Sequence, residues 1–348
     1  MRVCVVGGVN FMGPDVVRKL VDAGHDVLSY HSLEHERELP AAVRHLHGQR
    51  DELERFRDAL REWRPAVALH MAAATERQAR SFVQTFDGIA ERLVAVSSSD
   101  VYRAYGRVNL SEPGPPDPLP LSEEAPLRER PYPYRQDPPR GPDDPDAWMD
   151  HYDKILVERM MRSVATMPGT VLRLALVHGP RSYRHYAYLR RMLEDRPAIV
   201  LDAAWSRWRA THAYSENVAD AIVRAATDER AAGRVYNVGA SEPLSVNEIV
   251  ERMAHLVGWS GRVLSVPAEE LPEVLREGGG LDQEFVLDTA RVRTELGYRE
   301  RVDLMEGLRR TVEWMRLHPP PQGDRHPLLQ RKTDYLAEDA VIARHAGA

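Results

Sequence analysis

Cysteine is almost absent from this sequence: Cys4 is the single one in 348 residues. No disulfide framework is possible, and a reducing, cytoplasmic compartment is expected. Lysine is nearly as scarce, with three lysines among 47 basic residues and arginine at the other forty-four. No apolar run approaches the roughly 18 residues that a membrane span needs. The first residues have a strand pattern where a signal peptide would need a cationic region and a cleavage site, so no membrane partner is expected. Excess positive charge is also missing. A net charge of −6 gives a polyanion no broad attraction, and nucleic acid is not an expected partner. A 43% hydrophobic and 29% charged composition is ordinary for a globular chain, and its length suits one large α/β domain with a smaller lobe.

Glycine is present where it matters. Residues 2 to 6, continuously apolar from Val3 onward, have the pattern of a strand buried on both faces. The turn Gly7-Gly-Val-Asn-Phe-Met-Gly13 follows, then apolar residues at helical spacing from Pro14 to Ala23, with Gly24 as the stop and Val27–Tyr30 as a second strand. This order is a βαβ unit, and a glycine turn inside such a unit lets the backbone approach a pyrophosphate at a helix amino terminus. Further buried strands are expected at 66–70, 92–97 and 170–175, with helices between them. The predicted fold class is therefore α/β, a Rossmann-type doubly wound parallel sheet with a smaller C-terminal substrate lobe. The expected divisions are 1–175 for the dinucleotide-binding domain, 176–318 for a mainly substrate-binding lobe with segments returning to the first domain, and 319–348 for a tail. Within the first, a proline-rich insertion at about 107–145 reads as a long loop, either a solvated excursion or a flap over a ligand.

Several further segments fall in one order along the chain: His70-Met-Ala-Ala73, Ser97-Ser-Ser-Asp-Val-Tyr102, Lys154-Ile-Leu-Val-Glu158, Arg173 with Val177-His-Gly-Pro180, Glu216-Asn-Val-Ala219, Tyr236-Asn-Val-Gly239 and Leu296-Gly-Tyr298. With the glycine turn they resemble an extended short-chain dehydrogenase/reductase of the NAD-dependent epimerase/dehydratase type. The resemblance implies NAD or NADP as cofactor. It places the cofactor on Gly7, Gly8, Asn10, Phe11, Met12, Gly13, His31, Ala72, Ala73 and Lys154.

The chain departs from that pattern at informative places. Asn10 stands at the middle glycine, where asparagine is among the few other residues that tolerate a left-handed backbone. The end of the second strand reads Ser29-Tyr-His-Ser32, with neither the acidic residue that selects NAD nor the arginine that selects NADP. Gly48-Gln49 stands where Gly-Asp is usual.

The resemblance also implies a catalytic tyrosine four residues before Lys154, its pKa lowered by the lysine charge so that it trades a proton with the substrate oxygen. That position is Asp150. Tyr152 precedes the lysine by two, and residues two apart on a helix do not face each other, so it serves only if the helix begins late. Asp150 reads as a desolvated base or as a salt-bridge partner of Lys154. Ser98 takes the hydroxyl position that binds a substrate oxygen. Ser99 and Asp100 fall where dehydratases carry an acidic pair, with Asp100 as a candidate base or a turn cap.

On the substrate side, Leu176, His178 and Ala210 replace residues usual in sugar-nucleotide epimerases. His178, Ser99, Arg181 and Arg209 remain as candidate substrate residues. The arginines 181, 184, 190, 191, 207 and 209 form either an anion clamp or a solvated basic face. His178, His185 and His212 lack metal-ligand spacing, and no metal is expected. The expected partner is a small polar metabolite, together with a second copy of the chain in a homodimer. Two other readings stay open. One is a cofactor-independent isomerase or lyase using Asp150, Tyr152 or His178; the other is a non-catalytic nucleotide- or RNA-binding protein.

Overall fold

A computed structural model describes residues 1–32, 39–49, 52–321 and 334–345. The strands in chain order are β1 (Arg2–Val6), β2 (Asp26–His31), β3 (Arg44–His47), β4 (Val67–His70), β5 (Arg92–Ser98), β6 (Gly169–Leu174), β7 (Leu176–His178), β8 (Ala198–Asp202), β9 (Arg209–Ala210), β10 (His212–Tyr214), β11 (Val235–Val238), β12 (Leu244–Ser245) and β13 (Arg262–Val266). Seven of them build one parallel sheet in the order β11-β6-β5-β4-β1-β2-β3, the doubly wound Rossmann-type arrangement.

The alternation in β1 explains why the sheet is buried on both sides. Val3 and Val5 face one core with Val16, Val17 and Leu20 of helix α1 (Gly13–Asp22) and with the helix Ser215–Thr227. Cys4 and Val6 face the other, where Phe82 and Phe86 of a later helix meet Val157 and Met161. The helices after α1 in the first half are α2 (Arg57–Trp63), α3 (Glu76–Phe86), α4 (Arg103–Val108) and α5 (Lys154–Met161). Burial pushes the Cys4 thiol far above its ordinary pKa and leaves it an inert core residue.

Five residues quoted for their motif turn out to tie the sheet together. Arg173 on β6 forms a buried ion pair with Glu158 at 2.8 Å, and Ser97 donates to the same carboxylate at 2.6 Å. Arg173 also donates to the Tyr102 hydroxyl at 3.1 Å, which itself donates to Asn237 Oδ1 at 2.6 Å. A buried network in which each polar group has a partner fixes the neighbours of β5 and β6, and none of these side chains is left over for substrate.

The remaining strands pair in twos: β7 with β10, β9 with β12 and β8 with β13. From the predicted tail, the helix Tyr335–Arg344 is described and docks through a buried ion pair between Glu338 and Arg191. Residues 322–333 and 346–348 of that tail lie outside the described residues. No helix among the described residues is long and apolar enough to cross a membrane.

The proline-rich insertion has no helix of its own before a short 3₁₀ turn at Ala147–His151, yet it is anchored along its length. Glu112 accepts the backbone N–H groups of Glu129 and Arg130, Asp117 pairs with Arg103, and Leu121 bridges to Leu287. These bonds hold it across the carboxyl end of β5, where the conserved geometry of a parallel sheet puts ligands.

Candidate functional site

The glycine turn leaves β1 sharply. Gly7 has φ of 83° and its N–H bonds to the Tyr30 carbonyl on β2. A Cβ added at Gly13 would lie 2.5 Å from the Gly8 carbonyl carbon, so no larger residue fits where α1 meets the turn. The left-handed backbone expected at Asn10 falls instead on Phe11, at φ 49°. This placement has a local cause: the Gly13 N–H closes onto the Asn10 carbonyl at 2.8 Å, which puts the reversal one residue later. Met12, the cap of α1, makes no side-chain bond to the first N–H groups of the helix. Those donors and the helix dipole are what a pyrophosphate requires, so the residues fit a dinucleotide.

A cavity of about 380 Å³ opens beside the turn, lined among others by Gly7, Asn10, His31, Gln49, His70 and Ala72. Thus the ends of β1, β2 and β4 converge on one pocket, at the place where ligands bind in open α/β sheets. Arg181, from the loop after β7, reaches the same turn and donates to the Phe11 carbonyl at 3.2 Å. It therefore stands beside the glycine turn.

At the second centre, the start of α5 decides the chemistry. Asp153 caps the helix, its carboxylate accepting the Ile155 N–H at 2.9 Å, so α5 begins at Lys154. Tyr152 consequently sits in extended backbone before the cap, off the helix. Its hydroxyl donates to Oδ2 of Asp100 at 2.9 Å, and Ser98 is a second hydrogen-bond neighbour of that phenol. Lys154 Nζ lies 5.9 Å from the Tyr152 ring centre and donates to the carbonyls of Ala73 and Val96. Ser98, Asp100, Tyr152 and Lys154 are therefore brought together; Ala73 contributes its backbone.

Asp150 is not part of that group. It lies on the 3₁₀ turn, pairs with Arg140 and accepts the N–H groups of Arg140 and Gln136. Burial opposes its charge, but these donors outweigh it and hold the carboxyl below its ordinary value. The pairing with Lys154 anticipated from four-residue spacing is replaced because no helix runs from 150 to 154. Asp150 is a clasp that holds the insertion.

Asp100 is buried, and burial raises its pKa against the opposing pull of Tyr152, Arg128, Tyr134 and Lys154. Its Oδ1 has no hydrogen-bond partner among the described residues. Burial, then the adjacent Asp100, push the Tyr152 phenol well above its usual value. Lys154 moves the other way: burial lowers it to about 8, with Asp100 and Glu158 pulling it back up. Two contributors were not foreseen. Tyr134, on the insertion, donates to Asp100 Oδ2 at 3.0 Å, and Arg128 donates to the Asp100 carbonyl while pairing with Asp153 at 3.4 Å. No local sequence signal marks either, because a coil of this length specifies no register.

The candidate substrate residues scatter. Ser99 is buried in the 3₁₀ turn Ser99–Val101. His178 lines a separate cavity of about 360 Å³ with His212 and Tyr214. It bonds to Thr311 through Nδ1 at 3.0 Å, and burial, with His212 and Arg184 nearby, lowers its pKa to about 3. Arg209 is exposed, 3.9 Å from Glu284. Arg190 pairs with Glu194, Arg191 with Glu338, and Arg184 donates to the Val177 carbonyl. The arginine series is thus dispersed among structural partners and does not form one clamp.

No family model matches the sequence. The uncharacterized protein y4nL of Sinorhizobium fredii is 24% identical over 223 residues, 56% of this chain, and the match spans 61% of that protein's length. The UDP-glucose 4-epimerase of Mycolicibacterium smegmatis is 26% identical over 335 residues, covering 91% of this chain and 99% of that enzyme. Among solved structures, the Bordetella bronchiseptica enzyme WbmG in complex with NAD superposes with a TM-score of 0.67 at 18% identity, over 91% of this chain and 94% of that one. At that identity the superposition establishes the fold.

Proposed function

We propose that this chain, which resembles the extended short-chain dehydrogenases/reductases of the NAD-dependent epimerase/dehydratase type, is an NAD(P)-dependent enzyme acting on a hydroxyl-bearing small polar metabolite. Residues 7–13 and the N–H groups of α1 hold the pyrophosphate, with Arg181 as a neighbouring cation. His31, Ala72 and Gln49 face the adenosine portion, and Lys154 addresses the ribose next to the nicotinamide. A nicotinamide held there would supply hydride-transfer chemistry.

The rest of the chemistry is proton handling by this chain's own side chains. Tyr152 occupies the role of the tyrosine that Asp150 displaces from its usual position. A phenol next to a carboxylate is kept protonated, so Tyr152 acts as a relay. The substrate hydroxyl gives its proton to the Tyr152 oxygen while Tyr152 passes its own to Asp100 Oδ2; the reverse transfer protonates the oxygen when a carbonyl is reduced. Ser98 orients the substrate oxygen. The buried Lys154 charge offsets that of Asp100 and opposes the rise that burial imposes on its carboxyl.

The observation that carries this reading is the 2.9 Å bond from Tyr152 to Asp100, made possible by the late start of α5. It is tested by supplying NAD⁺ or NADP⁺ with a panel of polyols, sugars and nucleotide sugars and following the reduced nicotinamide. Turnover that is lost in Tyr152→Phe and in Asp100→Asn, with nucleotide affinity unchanged, supports it. Full activity in either variant removes the relay.

A further inference from the structure

Three histidines converge on the edge of the sheet, outside the proton-relay centre. β2 and β3 run parallel with His31 opposite His47, and His45 stands two residues before His47, on the same face of β3. The rings of His31 and His45 lie 5.2 Å apart, those of His31 and His47 5.0 Å, and those of His45 and His47 5.9 Å. One ring nitrogen from each falls within 4.8 Å of the other two. We propose that His31, His45 and His47 form a binding site for a divalent transition-metal ion of the zinc type.

The hydrogen bonds favour ligation. His31 Nδ1 lies 2.7 Å from the Ser32 carbonyl, an acceptor only, so Nδ1 carries the proton and Nε2 the lone pair. That Nε2 lies 2.9 Å from Nδ1 of His45. An outer bond from the second ring nitrogen to a backbone carbonyl is how metal-bound imidazoles are oriented and made more basic. The ion takes the place of the proton between the two rings, and that proton moves to Nε2 of His45, so the imidazole stays neutral.

Distances agree with a modest closure. Zinc–nitrogen bonds of about 2.0–2.1 Å put tetrahedral ligand nitrogens roughly 3.4 Å apart. The His31–His45 pair is already inside that spacing, and a small ring rotation brings in the third nitrogen. Three neutral imidazoles select Zn²⁺, Co²⁺, Ni²⁺ or Cu²⁺, whereas Mg²⁺ and Ca²⁺ demand oxygen ligands. His31 is buried, and His45 and His47 are half-buried, so the ion would be held at the wall of the 380 Å³ cavity with one position open to solvent or a ligand. The site stands on its own residues and does not depend on what the cavity binds.

The test is a titration of the tag-free full chain, freed of metal, with Co²⁺ in the absence of nucleotide. The expected result is one equivalent bound with the intense visible absorption of low-symmetry, four-coordinate cobalt, displaced stoichiometrically by Zn²⁺. His45→Gln and His47→Gln each weaken binding by at least about 10-fold, by comparison with outer-shell losses of 10- to 100-fold, while His255→Gln, at an exposed position elsewhere, leaves it unchanged. Circular dichroism and thermal melting of the variants check that they fold. Absence of the cobalt band, or unchanged affinity in folded His45→Gln and His47→Gln, overturns the site. A nucleotide titration of the metal-free chain reports separately on the proposed function.

Discussion

Tyr152 and Asp100 meet through a 2.9 Å hydrogen bond, and Tyr134 donates to the same carboxylate oxygen at 3.0 Å. One oxygen thus receives two phenols while the other has no partner among the described residues. This asymmetry defines a base with its donors on one side.

Removing either end of the relay lowers kcat by about 10²- to 10⁴-fold, the usual worth of a positioned acid or base. Tyr152→Phe and Asp100→Asn should also be non-additive, the double variant being little worse than either single one, because both act in one proton path. Steady-state kinetics of the three variants checks this; simple multiplication of the losses would separate the two residues.

Tyr134 tunes the same base. Its bond to Asp100 favours the charged carboxylate, so Tyr134→Phe raises the pKa of Asp100 further. The acid limb of the kcat/KM profile should move to higher pH, with the alkaline limb unmoved. A profile that does not shift would reduce Tyr134 to packing.

Lys154 gives the fold a pH signature. Burial lowers its pKa from 10.5 to about 8, so between these values the unfolded chain holds a proton that the folded chain has released. Stability therefore gains a contribution as pH rises from about 8 toward 10.5, since unfolding takes up a proton in that window. Urea unfolding of wild type and Lys154→Met across the window should show their difference growing in favour of wild type with pH. A constant difference would contradict a buried lysine of depressed pKa.

Asp150 holds the insertion rather than a proton. Asp150→Ala breaks the ion pair with Arg140 and takes their acceptor from two backbone N–H groups, so the variant should be less stable than wild type. Chemical denaturation should show the loss, and limited proteolysis should show faster cleavage within 107–145. The more conservative Asp150→Asn should retain the pH profile of wild type, which a catalytic carboxylate would not.

The sheet was legible wherever apolar residues run together, and the glycine turn located the cofactor end because its steric demand is local. β3 escaped that signal. Its sequence Arg-His-Leu-His has one apolar residue, and it forms because β2 offers it an edge to pair with. The site was half legible. Ser98, Asp100, Tyr152 and Lys154 were all singled out, but their assembly depended on where α5 begins. Asp153, a strong helix cap, is the local signal that fixes this and frees Tyr152 from the four-residue spacing. Arg128 and Tyr134 come from a coil, and the histidine cluster depends on strand register; neither is written in any short window. The arginine series misled for a related reason, since guanidinium spacing along the chain does not reveal which carboxylates and carbonyls will meet it.

The most direct measurement is a fluorescence titration of the purified chain with NAD(H) and NADP(H), comparing wild type with Gly13→Ala. The added methyl meets the Gly8 carbonyl carbon and deforms the cradle. The account predicts that at least one of the nucleotides binds wild type well below millimolar concentration and binds a folded Gly13→Ala variant at least about 10-fold more weakly, a difference of about 1.4 kcal/mol. Binding of neither nucleotide below millimolar concentration, or equal affinity in the two proteins, would contradict it.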